Sequence, residues 1–419
     1  MAADDLIDWM ERFNSPTFLW FAKRLTANDT LASGSNQAGP YIPKKLMFRL
    51  FPQINVPGVK NPDCSFPVQI DPLQERRAIR AVWYNGKLHG GTRDETRLTQ
   101  FGGRRSPLLD PENTGALALF VFALDDDGAS TGCSVWVCGG GGREADLVEG
   151  ILGPVEPKAS ITWQPGTEPV IAELYDSGIQ SPCRLAAADI PEKWLTKLPS
   201  GRELVGLTID KRPRGRGGAD ARLLSRRNCE LEIFKSIRDA HWLPKINRQY
   251  QSTDDFTTVA NSLLQSQKSR AGNSLEYHAD AIFREEGFRS GIDFVHKPKL
   301  RSGRKPDFIF PSLSLYEEGQ VPPQYLTFLA AKTTLKDRWR QILNEDRRMA
   351  VKHLLTLQSG VSEQQFDEIQ ESGVKLVVPA SLHRGYPKEV RPHLMTLGQF
   401  LKEVRAKQKL LREEYDGDR

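Results

Sequence analysis

Two short apolar runs, each closed by a charge, constrain this chain most. The first is Lys305-Pro306-Asp307-Phe308-Ile309-Phe310, with a carboxylate at its mouth. The second, Tyr325 to Thr334, is rich in β-branched and aromatic residues and reads as a strand. A period of two puts Leu326, Phe328, Ala330 and Lys332 on one face. A lysine that closes an apolar face is held in place, as a surface lysine is not. From Lys336 to Glu345 the chain reads as the start of a charged helix, with Arg338, Gln341, Ile342, Glu345 and Arg348 sharing a face. Asp307 at one strand end, Lys332 at the end of the next and Glu345 on the following helix can meet at a point. That trio suits hydrolysis of a phosphodiester with magnesium. Asp307 and Glu345 offer hard oxygens to the cation. The ion lowers the pKa of its water and neutralises charge on the phosphorane, and Lys332 positions the water or the scissile phosphate. The competing reading of each residue is a surface charge. It is weak for Asp307 and Lys332, because each abuts an apolar run.

The 419 residues allow two or three domains, and 39% apolar content suits buried cores. A net charge of +5 fits contact with nucleic acid without demanding it. No apolar run reaches the roughly 18 residues of a membrane span. The N-terminus is acidic and lacks a signal-peptide core, so the expected location is cytoplasmic. Cys64, Cys133, Cys138, Cys183 and Cys229 are widely spread, without zinc-site spacing, and read as reduced thiols.

In chain order, residues 4–25 read as a helix. From about Leu46 to Leu185, short apolar runs alternate with Gly and Pro, the texture of a β-barrel or sandwich. Within it, Arg93, Glu95 and Arg97 point to one side if extended. Arginine fits guanine and glutamate accepts from cytosine, so this ribbon is chemically able to read G·C pairs. From the bare residues alone, an ion-paired surface strand is the favoured reading. Residues 189–222 read as a weakly structured, basic, Gly-rich connection: a solvated hinge, a tether that also touches phosphate, or both. From Leu223 the texture turns helical, in Glu230–Ile237, Phe256–Gln267 and Ser274–Phe283. His278 and His383 read as structural. Lys375–Pro379 is a further strand, and a helix runs from Leu397 to about Leu411.

Asp307 and Lys332 together resemble the PD-(D/E)xK nucleases. Ala330 stands where those enzymes usually carry the second acid, which narrows the resemblance to the branch with that acid on the next helix, here Glu345. That branch contains restriction endonucleases cutting CCGG- and CCNGG-like sites. Three blocks, Lys23–Thr30, Asp110–Leu117 and Ser269–Glu276, with Lys332–Glu345 and Gly373–Pro379, resemble the EcoRII family over nearly the whole chain.

The resemblance implies a multidomain α+β and α/β protein. Residues 1–188 would be a B3-like pseudobarrel holding an effector copy of the DNA site through Lys23, Arg93, Glu95 and Arg97. Residues 189–222 would be the linker, and 223–419 an α/β/α nuclease. It implies Glu276 beside the metal site and Tyr316 close to the chemistry. Lys336, Asp337 and Arg338 would form the recognition element, two cations for guanines around an acid for cytosine. Arg227 would flank a flipped central base, with Leu231 replacing the family's Tyr. The implied activity is that of a Mg2+-dependent, homodimeric type IIE endonuclease. It would cut double-stranded DNA at a CCWGG-like site (W is A or T), use a second site copy, and share its system with a cognate cytosine methyltransferase. Two rivals stay open: a B3-like regulator with an inactive nuclease domain, and a nuclease requiring modified cytosine. The second draws on departures at Asn36, Lys87 and Gly91.

Overall fold

The run Leu117–Leu124 is apolar on both sides because both faces of its sheet are covered there. A computed structural model describes residues 2–33, 38–139, 143–153, 155, 159–167, 170–171, 182–215, 217–246, 248–317, 319, 321–335, 338–343 and 349–415. Among these, eight strands form one sheet in the order β4 (Glu95–Thr99), β3 (Glu75–Tyr84), β2 (Asp63–Asp71), β6 (Ser130–Val137), β5 (Leu117–Leu124), β1 (Phe18–Arg24), β7 (Ser160–Trp163) and β8 (Val170–Ile171). All neighbours are antiparallel except β2 and β6. Alternate residues go to opposite cores. Phe21, Phe120 and Phe122 join Ile70 and the Leu46, Met47 and Leu50 of α2 (Lys44–Leu50). Trp20, Leu119 and Val121 join Trp9 of α1 (Ala2–Arg12) and Val148 of α3 (Arg143–Leu152). Such two-sided burial is why β5 reads Leu-Ala-Leu-Phe-Val-Phe-Ala-Leu without a polar residue.

The single helix expected over residues 4–25 is corrected. The helix stops at Arg12 and β1 begins at Phe18. Pro16 interrupts the helical run, and the aromatic stretch after it gains more by pairing with β5 and β7. Trp9 Nε1 donates to Asp71 Oδ2 at 2.7 Å and ties α1 to the end of β2.

Two compact units make up the chain. The first consists of Met1–Ile179 with Gln358–Asp367 and Leu382–Pro392, two segments from far along the sequence. Ala27 N donates to Gly385 O at 2.8 Å, and Gln365 Nε2 donates to Glu112 O at 3.2 Å. Gly360 and Gly385 let these backbones approach: a Cβ on Gly360 would lie 2.6 Å from Gly385 O, and one on Gly385 2.1 Å from Ser359 O.

The second unit holds a sheet in the order β13 (Val374–Val377), β12 (Lys352–Thr356), β11 (Thr327–Lys332), β10 (Phe308–Phe310), β9 (Val295–His296). β11, β12 and β13 run parallel, and β10 is antiparallel to both its neighbours. The expected strands at Tyr325–Thr334 and Lys375–Pro379 are thus present. α4 (Glu192–Thr196), α5 (Gly201–Lys211), α6 (Ala219–Ile246) and α7 (Thr253–Glu285) precede this sheet. α8 (Leu313–Glu317), α9 (Arg338–Ile342) and α10 (Glu363–Glu371) lie among its connections, and α11 (Leu397–Tyr415) follows it. Aromatic rings join helices to strands: Phe283 of α7 sits 5.1 Å from Phe308, and Phe400 of α11 sits 5.6 Å from Phe310. The two helices expected at Phe256–Gln267 and Ser274–Phe283 are one helix, α7. Among the described residues no helix is long and apolar enough to cross a membrane.

Two further expectations are corrected here. The stretch read as a weakly structured connection carries α4 and α5, the latter started by a Ser200–Glu203 capping box. Trp194 and Leu204 bury against Ile233, Phe234 and Ile237 of α6. Cys183 and Cys229, read as reduced thiols, are joined in a disulfide, with Cα atoms 5.2 Å apart. That meeting depends on how the chain folds back onto α6, which a separation of 46 residues does not reveal.

His353 in β12 sets a pH limit. Burial pushes its imidazole from the ordinary 6.5 down to about 4, against the opposing pull of Glu403. The unfolded chain takes up this proton first as pH falls, so the contribution is complete above the ordinary value and is lost towards about 4. Urea midpoints between pH 7 and 4 are expected to fall more steeply for the wild type than for His353→Gln.

Candidate active site

Asp307 immediately precedes β10 and is 6% exposed. Its Oδ2 accepts from Ala331 N at 2.8 Å and from Lys332 Nζ at 2.9 Å. The geometry follows from strand pairing. Phe308 lies opposite Leu329, so the residue before β10 lies beside the end of β11, where Lys332 stands. Ala330, at the position of the missing acid, is fully buried. Asp307 Oδ1 takes no hydrogen bond among the described residues.

A second carboxylate approaches from α7. Glu276 is 4% exposed, and its Oε2 receives His296 Nε2 at 3.1 Å and Lys297 Nζ at 3.0 Å. His296 pairs with Phe308 in the sheet and stacks on its ring at 4.7 Å. Lys297 N donates to Asp307 O at 2.8 Å. The strand pair β9–β10 therefore links Glu276 to Asp307. Glu276 Oε1 takes no hydrogen bond among the described residues. Each carboxylate thus keeps one oxygen without a hydrogen bond among the described residues, the hard donor type that a divalent cation takes. Among the described residues no group of three or more Asp, Glu, His or Cys side chains is placed to hold a metal. The other expected ligand, Glu345, lies outside those residues, as do Lys336 and Asp337. Arg338 opens α9, but its side chain lies outside them too. Tyr316 is buried in α8, which follows β10.

Arg227 lies buried in α6. It donates to Ser274 Oγ and, at 3.4 Å, to Glu230 Oε2, which also receives Ser274 Oγ and, at 3.0 Å, His278 Nε2. His278 is thus an interior histidine, as read, paired through Nε2 while its buried Nδ1 has no hydrogen bond, and burial pushes its pKa down. Leu231 is 7% exposed.

In the first unit, Glu95 gathers two arginines: Arg93 Nε at 2.5 Å and Arg97 Nη2 at 3.1 Å. The Arg93 guanidinium also lies 3.7 Å over the Tyr84 ring. Lys23 and Arg97 converge on Asp29, at 2.8 Å and 3.6 Å. Asp29 is 1% exposed, and it also accepts from Thr26 N and Tyr41 N. Burial pushes its pKa up, but Lys23 and Arg97 outweigh that and hold it below the usual carboxylate value. Burial likewise raises Glu95, and Arg97 and Arg93 bring it below the ordinary value. The four cation and acid positions expected to read effector DNA therefore form one linked cluster. Sequence reasoning missed Asp29, although it stands in the block Lys23–Thr30.

Comparison with known proteins supplies the class. Residues 234–401 match the family model described as EcoRII C terminal, and residues 14–167 match Restriction endonuclease EcoRII, N-terminal. Type II restriction enzyme SsoII of Shigella sonnei is 26% identical over 144 residues, 30% of this chain and 46% of that enzyme. A solved restriction endonuclease PspGI–substrate DNA complex is similar over 53% of this chain and 97% of that one, with a TM-score of 0.42 and 14% identity. The sequence matches define a type II restriction endonuclease. Type II restriction enzyme EcoRII of Escherichia coli is 39% identical over 402 residues, 95% of this chain and 96% of its own. The chain belongs to the EcoRII family.

Proposed function

We propose that this restriction endonuclease is a Mg2+-dependent, homodimeric enzyme of type IIE. It cleaves double-stranded DNA at a CCWGG-like site, before the first cytosine, leaving 5′ overhangs. The observation that carries the reading is Asp307 Oδ2 on Lys332 Nζ at the ends of paired strands, with Oδ1 without a hydrogen bond among the described residues. Asp307 and Glu345 would hold Mg2+, with Glu276 beside them. When bound, the ion supplies an acidified water and charge neutralisation at the phosphate. Lys332 orients the nucleophile or the scissile phosphate, in water-poor surroundings set by the buried β10 and β11. Tyr316 stands near this centre. Lys336, Asp337 and Arg338 read the G·C pairs. Arg227, with Leu231, flanks an extruded central base, at a cost of a few kcal/mol for unstacking.

Residues 1–188 bind a second copy of the site and relieve autoinhibition, residues 189–222 connect, and residues 223–419 cut. One such centre hydrolyses one strand, so two chains serve a pseudo-palindromic target. A cognate cytosine methyltransferase protects host DNA, and the enzyme works in the cytoplasm. Digesting DNA of known sequence with and without Mg2+, then sequencing the ends, tests the site and the overhang together. Cleavage of methylated against unmethylated plasmid separates this reading from a modified-cytosine nuclease. A regulator with an inactive nuclease domain would leave plasmid intact under all these conditions.

At the effector surface, Arg93→Ala is expected to weaken binding of a cognate duplex about 10-fold, since a good bidentate base contact is worth about 1–3 kcal/mol. Titration of the isolated duplex by fluorescence anisotropy in Ca2+ measures this, and unchanged affinity removes Arg93 from the DNA-reading set.

A further inference from the structure

Lys297 is the residue of the second unit that the reading above leaves without a task. Its backbone sits at φ 50°, in the left-handed region that side-chain-bearing residues rarely enter. Non-glycine residues hold such a conformation only when their surroundings over-determine it. Here three bonds do so: Lys297 N to Asp307 O at 2.8 Å, Nζ to Asn273 Oδ1 at 2.6 Å, and Nζ to Glu276 Oε2 at 3.0 Å. The two ends of this one residue thus join the main chain of Asp307 to the carboxylate of Glu276. The partners differ in exposure. Glu276's side chain is 6% exposed and Lys297's is 41%, so the ammonium faces solvent while the carboxylate does not.

We infer that Lys297 is the resident counter-cation of Glu276, which yields that carboxylate to the divalent ion and turns its own ammonium to the DNA phosphate. The inference rests on the hydrolytic reading of Asp307 and Lys332. Without metal, a carboxylate as buried as Glu276 needs a cation, and Lys297 supplies one. A divalent ion on Glu276 Oε1 would share one carboxylate with the ammonium on Oε2, and two cations held that close repel. The lysine, on a flexible stem and already open to solvent, is the one that moves. Phosphate is the anion that arrives with the substrate, and a lysine meets it as a point charge. His296 stays on Glu276 Oε2 throughout, stacked on Phe308, and keeps the carboxylate aimed while its cation changes.

Two variants of the full-length protein test this. Lys297→Gln removes the charge and keeps a side chain. Lys297→Gly also removes it and takes the left-handed backbone without strain, so it is expected to unfold no lower than Lys297→Gln. Both should bind Mn2+ in the absence of DNA about fivefold more tightly than the wild type, because a competing cation has gone. Both should also need about fivefold less Mg2+ for half-maximal cleavage, yet reach a maximal rate lower by about tenfold, having lost a phosphate contact. A merely structural lysine would worsen metal binding and rate together. Mn2+ affinity that does not rise, or an unchanged maximal rate, overturns the proposal. If Lys332→Ala cleaves like the wild type in the same assay, it is the hydrolytic reading that falls.

Discussion

Lys332→Ala is expected to lower plasmid cleavage by about 10³-fold, the usual loss when one preorganised donor leaves a reacting centre. Binding of the cognate duplex in Ca2+ should change little. The argument is local. Lys332 Nζ lies 2.9 Å from Asp307 Oδ2, and Asp307 keeps a second donor, Ala331 N, when the lysine is gone. The carboxylate therefore stays in place and loses only its cationic partner. Single-turnover cleavage with saturating Mg2+ is the measurement. A variant that nicks at the wild-type rate would remove Lys332 from the centre. Asp307→Asn should match it in severity, because an amide oxygen is a poor ligand for a hard cation.

Asp29→Ala is expected to lower the stability of the first unit by about 3–5 kcal/mol, the range found when one member of a buried charge group is removed. Lys23 and Arg97, 7% and 8% exposed, would lose the buried acid they share, though Arg97 would keep Glu95. Thr26 N and Tyr41 N would lose their acceptor. Asp29→Asn preserves the shape and some of these bonds, so its loss should be smaller. The pH dependence has a definite sign. The folded-state pKa of Asp29 lies below the ordinary carboxylate value, so its contribution is present above that value and is lost as pH falls through the folded one. Thermal unfolding and effector-duplex binding of both variants check this. If Asp29→Ala melts with the wild type, the cluster is not organised around this carboxylate.

The meeting of Asp307 and Lys332 was legible where its causes are local. A charge closing an apolar run shows in sequence, and strand pairing brings the two residues together. The runs of β2, β3, β5 and β6 were legible for the same reason, since pleat and burial write directly into the residue pattern. What was missed depends on distant partners. Phe18–Arg24 is a strand only because β5 and β7 flank it. Cys183 meets Cys229 only because the chain returns across α6. Lys297 carries no motif. Its importance lies in a backbone dihedral and in three bonds to residues 10 to 24 positions away. Asp29 likewise counts through Lys23, Tyr41 and Arg97, which are brought to it by the sheet.

The composition of the first unit has a temporal side. Gln358–Asp367 and Leu382–Pro392 belong to it, although both β10 and β11 precede them in sequence. A ribosome must therefore have released Pro392, with Lys332 long since made, before the first unit can reach its finished form. Synthesis from the N-terminus does not deliver a completed first unit ahead of the second. A gene truncated after residue 188 would encode a first unit short of two of its own pieces.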